Sequence, residues 1–271
     1  MFRGVLRKMI TEKEVPIRYF LDLEDDFLVM NRFLGRNLKI TYDGSQCLNC
    51  NQSKPIFRQG FCKQCFFDIP SAGDWVMRPE LSKAHLGLED RDLEYEKKVQ
   101  LQPHWVYLAS SSHLKVGVTR KSQIPTRWID QGAHQAVGIL EVPNRYLAGV
   151  AEVALKDYFS DKTNWRTMLK GNAEPIDLIA RAEQLIDKIE DKLAVITAKY
   201  GAQSIQRLSE KIVNLDFPVI EFPSKITSLN FDKTPEVSGT LLGIKGQYLL
   251  FDNGVINIRK FTSYQVSAKI N

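Results

Sequence analysis

The sequence predicts an α+β protein, and three observations carry the prediction. Strand-type alternation fills both ends of the chain. The middle switches repeatedly between short strands and helices. All four cysteines, Cys47, Cys50, Cys62 and Cys65, stand in one cluster near the N-terminal end. A β-rich N-terminal module bearing a zinc ribbon is expected over residues 1–100, then a hairpin-plus-helices core over 101–172. A helical segment over 173–215 and a small C-terminal β-meander over 216–271 complete the expected order.

In the N-terminal module, Pro16 to Leu23 and Leu38 to Tyr42 alternate with period two, and Asp43-Gly44 reads as a hairpin-type turn. The cysteine segment follows directly, so the ribbon is expected to extend that sheet. Residues 67–100, with Pro70, Gly73 and Pro79 and then the polar run Leu88 to Lys98, read as an irregular connection with one short helix.

From residue 104 the texture changes. Trp105 to Ala109 is a strand, Ser110-Ser111-Ser112 a turn, and Leu114 to Val118 a second strand. Pro125 suits a first helical turn and Gly132 a helix end. A third strand runs from Ile139 to Val142, and a helix from Tyr146 to Phe159. A longer helix starts near Pro175, where Leu178, Ala182, Leu185, Ile189, Leu193 and Ile196 recur at three- and four-residue steps. Gly201 ends it. Gly239 to Ile244, Gln247 to Phe251 and Val255 to Ile258, with the turn Asp252-Asn253-Gly254, make the C-terminal meander.

At 271 residues the chain is long enough for two or three packed modules. Its 44% hydrophobic and 25% charged residues exclude a largely disordered chain. The net charge of +5, from 37 basic and 32 acidic residues, permits a phosphate-bearing partner without requiring one. The first residues carry charge but no apolar h-region, and no stretch approaches the ~20 apolar residues of a membrane span. A cytoplasmic location is expected, where thiols stay reduced and bind metal in preference to forming disulfides.

The cysteine spacing is Cys-x2-Cys, eleven residues, then Cys-x2-Cys. Each knuckle turns sharply enough to bring two thiolates to one ion, and two knuckles complete a tetrahedral shell. Gly60 supplies backbone freedom before the second pair. Lys54, Arg58 and Lys63 offset the negative charge of four thiolates. With four protein ligands the expected zinc has no open position, so its role is structural.

The central segment carries the candidate chemistry. Val106-Tyr107-Leu108 lies on the first strand, Lys115-Val116-Gly117-Val118-Thr119 on the second, Arg127 on the short helix and Glu152 on the later one. In that order these residues resemble the GIY-YIG nuclease superfamily, over about a quarter of the chain. The whole chain also resembles a bacterial family of unknown function that pairs such a core with a four-cysteine zinc site. The resemblance implies cleavage of nucleic-acid phosphodiesters, with DNA favoured over RNA. Tyr107 would match the tyrosine of the first motif, Gly117 the glycine of the second, Arg127 the helix arginine and Glu152 the glutamate that holds Mg²⁺ or Mn²⁺. A guanidinium and a divalent ion are suited to the charge a phosphodiester gains under attack. The chain departs from the pattern at three points: Trp105 replaces the first-motif glycine, Lys115 the second-motif tyrosine, and Gln131 a histidine often found after the arginine.

His85, His104, His113 and His134 show no ligand spacing, and no phosphate-cradling glycine loop occurs. Trp128, Trp165 and Arg166 suit base stacking as well as helix anchoring. Two other function classes stand beside the nuclease: a non-catalytic zinc-ribbon protein that binds nucleic acid, and a protein-interaction module built on the long helix.

Overall fold

The computed structural model describes residues 1–24, 26–159, 164–171 and 176–270. Pro175, expected to open the long helix, lies outside them. The chain begins with β1 (Phe2–Val5), β2 (Ile10–Glu12), β3 (Arg18–Asp22), β4 (Phe27–Val29) and β5 (Asn37–Ser45). The cysteine segment forms β6 (Ile56–Arg58), β7 (Phe61–Cys62) and the short helix α1 (Lys63–Asp68). Several 3₁₀ turns, among them Pro79–Leu81, then lead to α2 (Leu93–Gln100).

The central segment contains β8 (His104–Ser110), β9 (Leu114–Arg120), α3 (Thr126–Asp130), β10 (Gln135–Val142) and α4 (Arg145–Lys156). The helices α5 (Trp165–Leu169), α6 (Leu178–Lys188) and α7 (Glu190–Tyr200) follow, with the short strands β11 (Gln206–Arg207) and β12 (Val213–Asn214). The chain closes with β13 (Glu236–Lys245), β14 (Tyr248–Phe251), β15 (Gly254–Asn257) and β16 (Tyr264–Ile270). The α+β class and the expected order of central elements are present.

The terminal segments join in space. A six-stranded sheet runs β1-β16-β5-β13-β14-β15, so the C-terminal meander is one side of a sheet that the N-terminal strands complete. Gln247 locks this union. Its Nε2 donates to Asp130 Oδ1 (2.9 Å) and to the Met9 carbonyl (3.1 Å), while its Oε1 accepts from the Met9 N–H (2.8 Å). Three expectations are corrected here. Asp43-Gly44 lies inside β5, where the pairing with β16 shifts register between Gln265 and Val266, so it is a bulge and not a hairpin turn. The ribbon does not extend the large sheet, because among the described residues β6 and β7 pair with each other as a separate two-stranded sheet. The long helix is two helices. At Ile189 (φ −109°, ψ 8°) the N–H bonds back to Ile186 O (3.1 Å), and the helix restarts at Glu190. That break keeps Leu185, Ile189, Leu193 and Ile196 all buried along a curved core.

A central antiparallel sheet, β11-β10-β8-β9, separates two hydrophobic cores, with β12 also paired to β10. Every residue of β8 is buried, because both faces of the strand are covered. Trp105, Tyr107 and Ala109 face the core shared with the six-stranded sheet and α3. Val106 and Leu108 face the core built with α4, α6 and α7. No helix among the described residues is long and apolar enough to cross a membrane.

Candidate functional site

Strand β5 delivers the chain to the first cysteine pair. The Cys47 N–H bonds Gln52 O (3.0 Å) and the Asn51 N–H bonds Cys47 O (2.9 Å), which curls this knuckle back on itself. Asn51 sits at φ 54°, and Gly60, at φ 87°, opens the second knuckle. The four sulfurs all lie within 4.8 Å of one another. A tetrahedral ion at the usual zinc–thiolate bond length holds sulfurs about 3.8 Å apart, so the cluster fits a metal ion with small adjustment. Burial pushes the Cys47 thiol up, but N–H donors from Cys50, Cys62 and Asn49 outweigh it and bring the group down to about 6. The Cys62 N–H reaches Cys47 Sγ at 3.3 Å. Among the described residues these four form the group of three or more histidine, cysteine or carboxylate side chains close enough together to hold a metal.

The second candidate site is built on the β8–β9 hairpin. Tyr107 pairs with Gly117 and Ala109 with Lys115, so Tyr107, Gly117 and Lys115 share one face. The Tyr107 side chain is fully buried, and its hydroxyl donates to Gln131 Oε1 (2.9 Å). Burial raises the Tyr107 pKa, whereas the nearby positive charge of Arg127 and the hydrogen bond to Gln131 pull it down. Helix α3 therefore presents Arg127 to the hairpin, one turn before Gln131. The Glu152 carboxylate is near enough to raise Tyr107 as well. Burial also pushes Lys115 down to about 8, assisted by the charge of Arg127.

Glu152 reaches the cluster from α4. Gly149, one turn earlier, lets that helix press against the Pro79–Leu81 turn, where an added Cβ would lie 2.3 Å from the Glu80 nitrogen. The contact brings Glu80, whose Oε1 pairs with Arg78 Nε at 3.3 Å, near enough for its charge to act on Glu152. Desolvation raises the Glu152 pKa, Lys156 lowers it, and Glu80 raises it further. Arg145 anchors the same helix face by donating to Trp75 O (2.9 Å) and Val76 O (2.7 Å). Its own pKa falls to about 10 through burial, with Glu152 opposing the fall.

All four residues singled out in the sequence, Tyr107, Lys115, Arg127 and Glu152, thus meet around the hairpin. Gln131, read as a lost histidine, proves to be the partner of the Tyr107 hydroxyl. Glu80, Arg120 and Arg145 were not singled out. Glu80 and Arg145 enter through the α4 contact with an irregular segment, and Arg120 through the end of β9, so no local motif marks them. His134 lies apart from the cluster, whereas His104 faces Arg120 across the β8–β9 hairpin and feels the charges of Arg145 and Arg120. Burial brings both down to about 4, consistent with neutral, hydrogen-bonded rings.

The family model described as Protein of unknown function (DUF2797) matches residues 35–266. The chain belongs to this family. Both the four-cysteine cluster and the hairpin cluster lie inside the matched range, as do most strands of the six-stranded sheet. No curated protein and no solved structure matches the chain.

Proposed function

We propose that this DUF2797 protein cleaves nucleic-acid phosphodiesters with a divalent metal ion, on a GIY-YIG-like core stabilised by a structural zinc ribbon. The observation that carries the reading is the placing of Tyr107 and Lys115 on one face of the β8–β9 hairpin, with the Tyr107 hydroxyl held by Gln131 and within reach of the charges of Arg127 and Glu152. Zinc is the ion assigned to the ribbon, because four thiolates at this spacing match its tetrahedral preference.

Glu152 and Glu80 are the residues that would hold the second ion. Glu80 Oε2 is buried with no hydrogen-bond partner, and two neighbouring carboxylates form the hard oxygen set that Mg²⁺ or Mn²⁺ takes. Such an ion, when bound, supplies positive charge to the phosphoryl oxygens. Arg127 donates to a non-bridging oxygen as charge grows there. Tyr107 keeps its proton at neutral pH, because burial raises its pKa, so it orients the attacking water and does not deprotonate it. Lys115 is the base: with its pKa near 8, a fraction of the amine is neutral at physiological pH and can accept the proton of that water.

The test is incubation of the zinc-loaded protein with single-stranded, duplex and branched DNA and with RNA, with added Mg²⁺ or Mn²⁺. Metal-dependent cleavage by the wild type and none by Glu152→Gln is the expected result. Failure of the wild type to cut any substrate, at protein in excess, overturns the reading in favour of a non-catalytic binding protein.

A further inference from the structure

The ribbon carries an aromatic surface that neither the metal cluster nor the hairpin site uses. Phe57 on β6 and Phe66 and Phe67 on α1 form a triad. The ring centroids lie 5.3 Å apart for Phe57–Phe66, 5.8 Å for Phe57–Phe67 and 5.5 Å for Phe66–Phe67. Core phenylalanines at these separations would be sealed from water. Here Phe57 is 43% exposed and Phe67 56% exposed. The platform is also held in place: Arg91 Nη1 donates to Phe66 O (2.8 Å) and Ile69 O (2.7 Å), fixing the end of α1.

Basic residues dominate the segment that carries the rings, with Asp68 at the end of α1 as its nearest carboxylate in sequence. Between Asp43 and Asp68 the sequence has no carboxylate side chain, but it has Lys54, Arg58 and Lys63. The Arg58 guanidinium carbon lies 5.3 Å from the Phe57 ring centroid, so a cation borders the stacking surface itself. Exposed rings bordered by cations match a strand whose bases are free to stack and whose phosphates carry negative charge. Duplex DNA keeps its bases stacked on each other and offers the rings nothing.

We propose that the Phe57–Phe66–Phe67 platform of the ribbon, with Arg58 and Lys63, docks single-stranded DNA. The choice of a nucleic-acid partner rests on the function proposed above, and the platform adds the form in which that partner is engaged.

The test is fluorescence anisotropy with labelled 20-nucleotide strands of DNA and RNA and a DNA duplex, using full-length zinc-loaded protein without added divalent metal. The single DNA strand is expected to bind most tightly. Phe57→Ala/Phe67→Ala is expected to weaken that binding by about tenfold or more, the scale of losing base–aromatic stacking. Phe57→Tyr/Phe67→Tyr should restore it, because the rings remain. Arg58→Ala/Lys63→Ala should lower the salt dependence of binding, which the alanine ring variant leaves unchanged. Zinc content, measured on every variant, should stay at the wild-type value. Unchanged affinity in Phe57→Ala/Phe67→Ala, or no DNA binding by the wild type, overturns the proposal. So does a preference for RNA or duplex, or a ring variant that alters only the oligomeric state, which would assign the surface to a second copy of the chain. Cleavage measured in parallel separates the two readings. A wild type that cuts DNA with no contribution from the rings sinks the platform alone. One that binds through the rings and never cuts sinks the nuclease alone.

Discussion

The Tyr107 ring lies directly over Gly117 on the facing strand: a Cβ at Gly117 would stand 2.6 Å from the Tyr107 hydroxyl oxygen and 2.7 Å from Cζ. The glycine is thus explained by the ring that fills its side-chain space, and the ring's position aims the hydroxyl at Gln131. Gly117→Ala should destabilise the protein by about 1–3 kcal/mol in urea unfolding, the usual scale of overpacking. In a Tyr107→Ala background that cost should largely vanish, since the clash has lost its partner. Strictly additive costs would show that the two positions do not share this space.

The ribbon should depend on its metal. Elemental analysis should find about one zinc per chain, and Cys47→Ser or Cys62→Ser should lose it together with the ordered structure around α1. Structural metal binding is folding free energy, so the loss should appear as a lower thermal midpoint. A serine variant that keeps full stability would refute a structural role.

In the hairpin site, Arg127→Ala should reduce turnover about 10²-fold or more, because the growing phosphoryl charge loses a preorganised donor. Glu152→Gln should abolish metal-dependent turnover while single-stranded DNA binding is kept. Neither variant should shift the thermal midpoint much, as both side chains are only partly buried. Cleavage that survives both substitutions would place the chemistry elsewhere.

If Lys115 is the base, the rate must rise with pH as the amine loses its proton, and level off above about 8. The direction follows from the role, since only the neutral amine can accept a proton. Lys115→Met should remove that limb of the profile as well as most of the activity. A profile with the same inflection in Lys115→Met would rule the residue out.

A separate pH effect should appear in stability. Lys245 is fully buried beneath Phe217 and Phe222, and its Nζ donates to His134 Nε2 (2.6 Å). Burial brings its pKa from 10.5 to about 7. Between those values the unfolded chain holds a proton that the folded chain lacks, so stability rises with pH across this window and is level, for this group, below it. Lys245→Met, which keeps the buried chain and removes the amine, should flatten the slope between about pH 7 and 10. Denaturant titrations at several pH values would check this, and an unchanged slope would contradict it.

Local chemistry was enough to read the ribbon and the order of the central elements. Two Cys-x2-Cys knuckles need only the chain between them to bring four sulfurs together. The β8–β9 hairpin, α3 and Gly132 are each set by alternation, proline and glycine within a few residues. The resemblance to the GIY-YIG superfamily pointed to Tyr107, Lys115, Arg127 and Glu152, whose charges act on one another around the hairpin. Their setting came from tertiary structure alone. Gln131 became a partner because α3 packs against the covered face of β8. Glu80 and Arg145 entered because Gly149 lets α4 close on an irregular segment whose sequence has no periodicity to read. The same reason separates the terminal sheet from its expected form. Pairing β5 with both β13 and β16 joins residues about two hundred positions apart, and the hydrogen bonds that select such partners leave no mark on local pattern. Asp43-Gly44 shows the limit most plainly: a dipeptide suited to a turn becomes a bulge when a neighbouring strand is present to hold it extended.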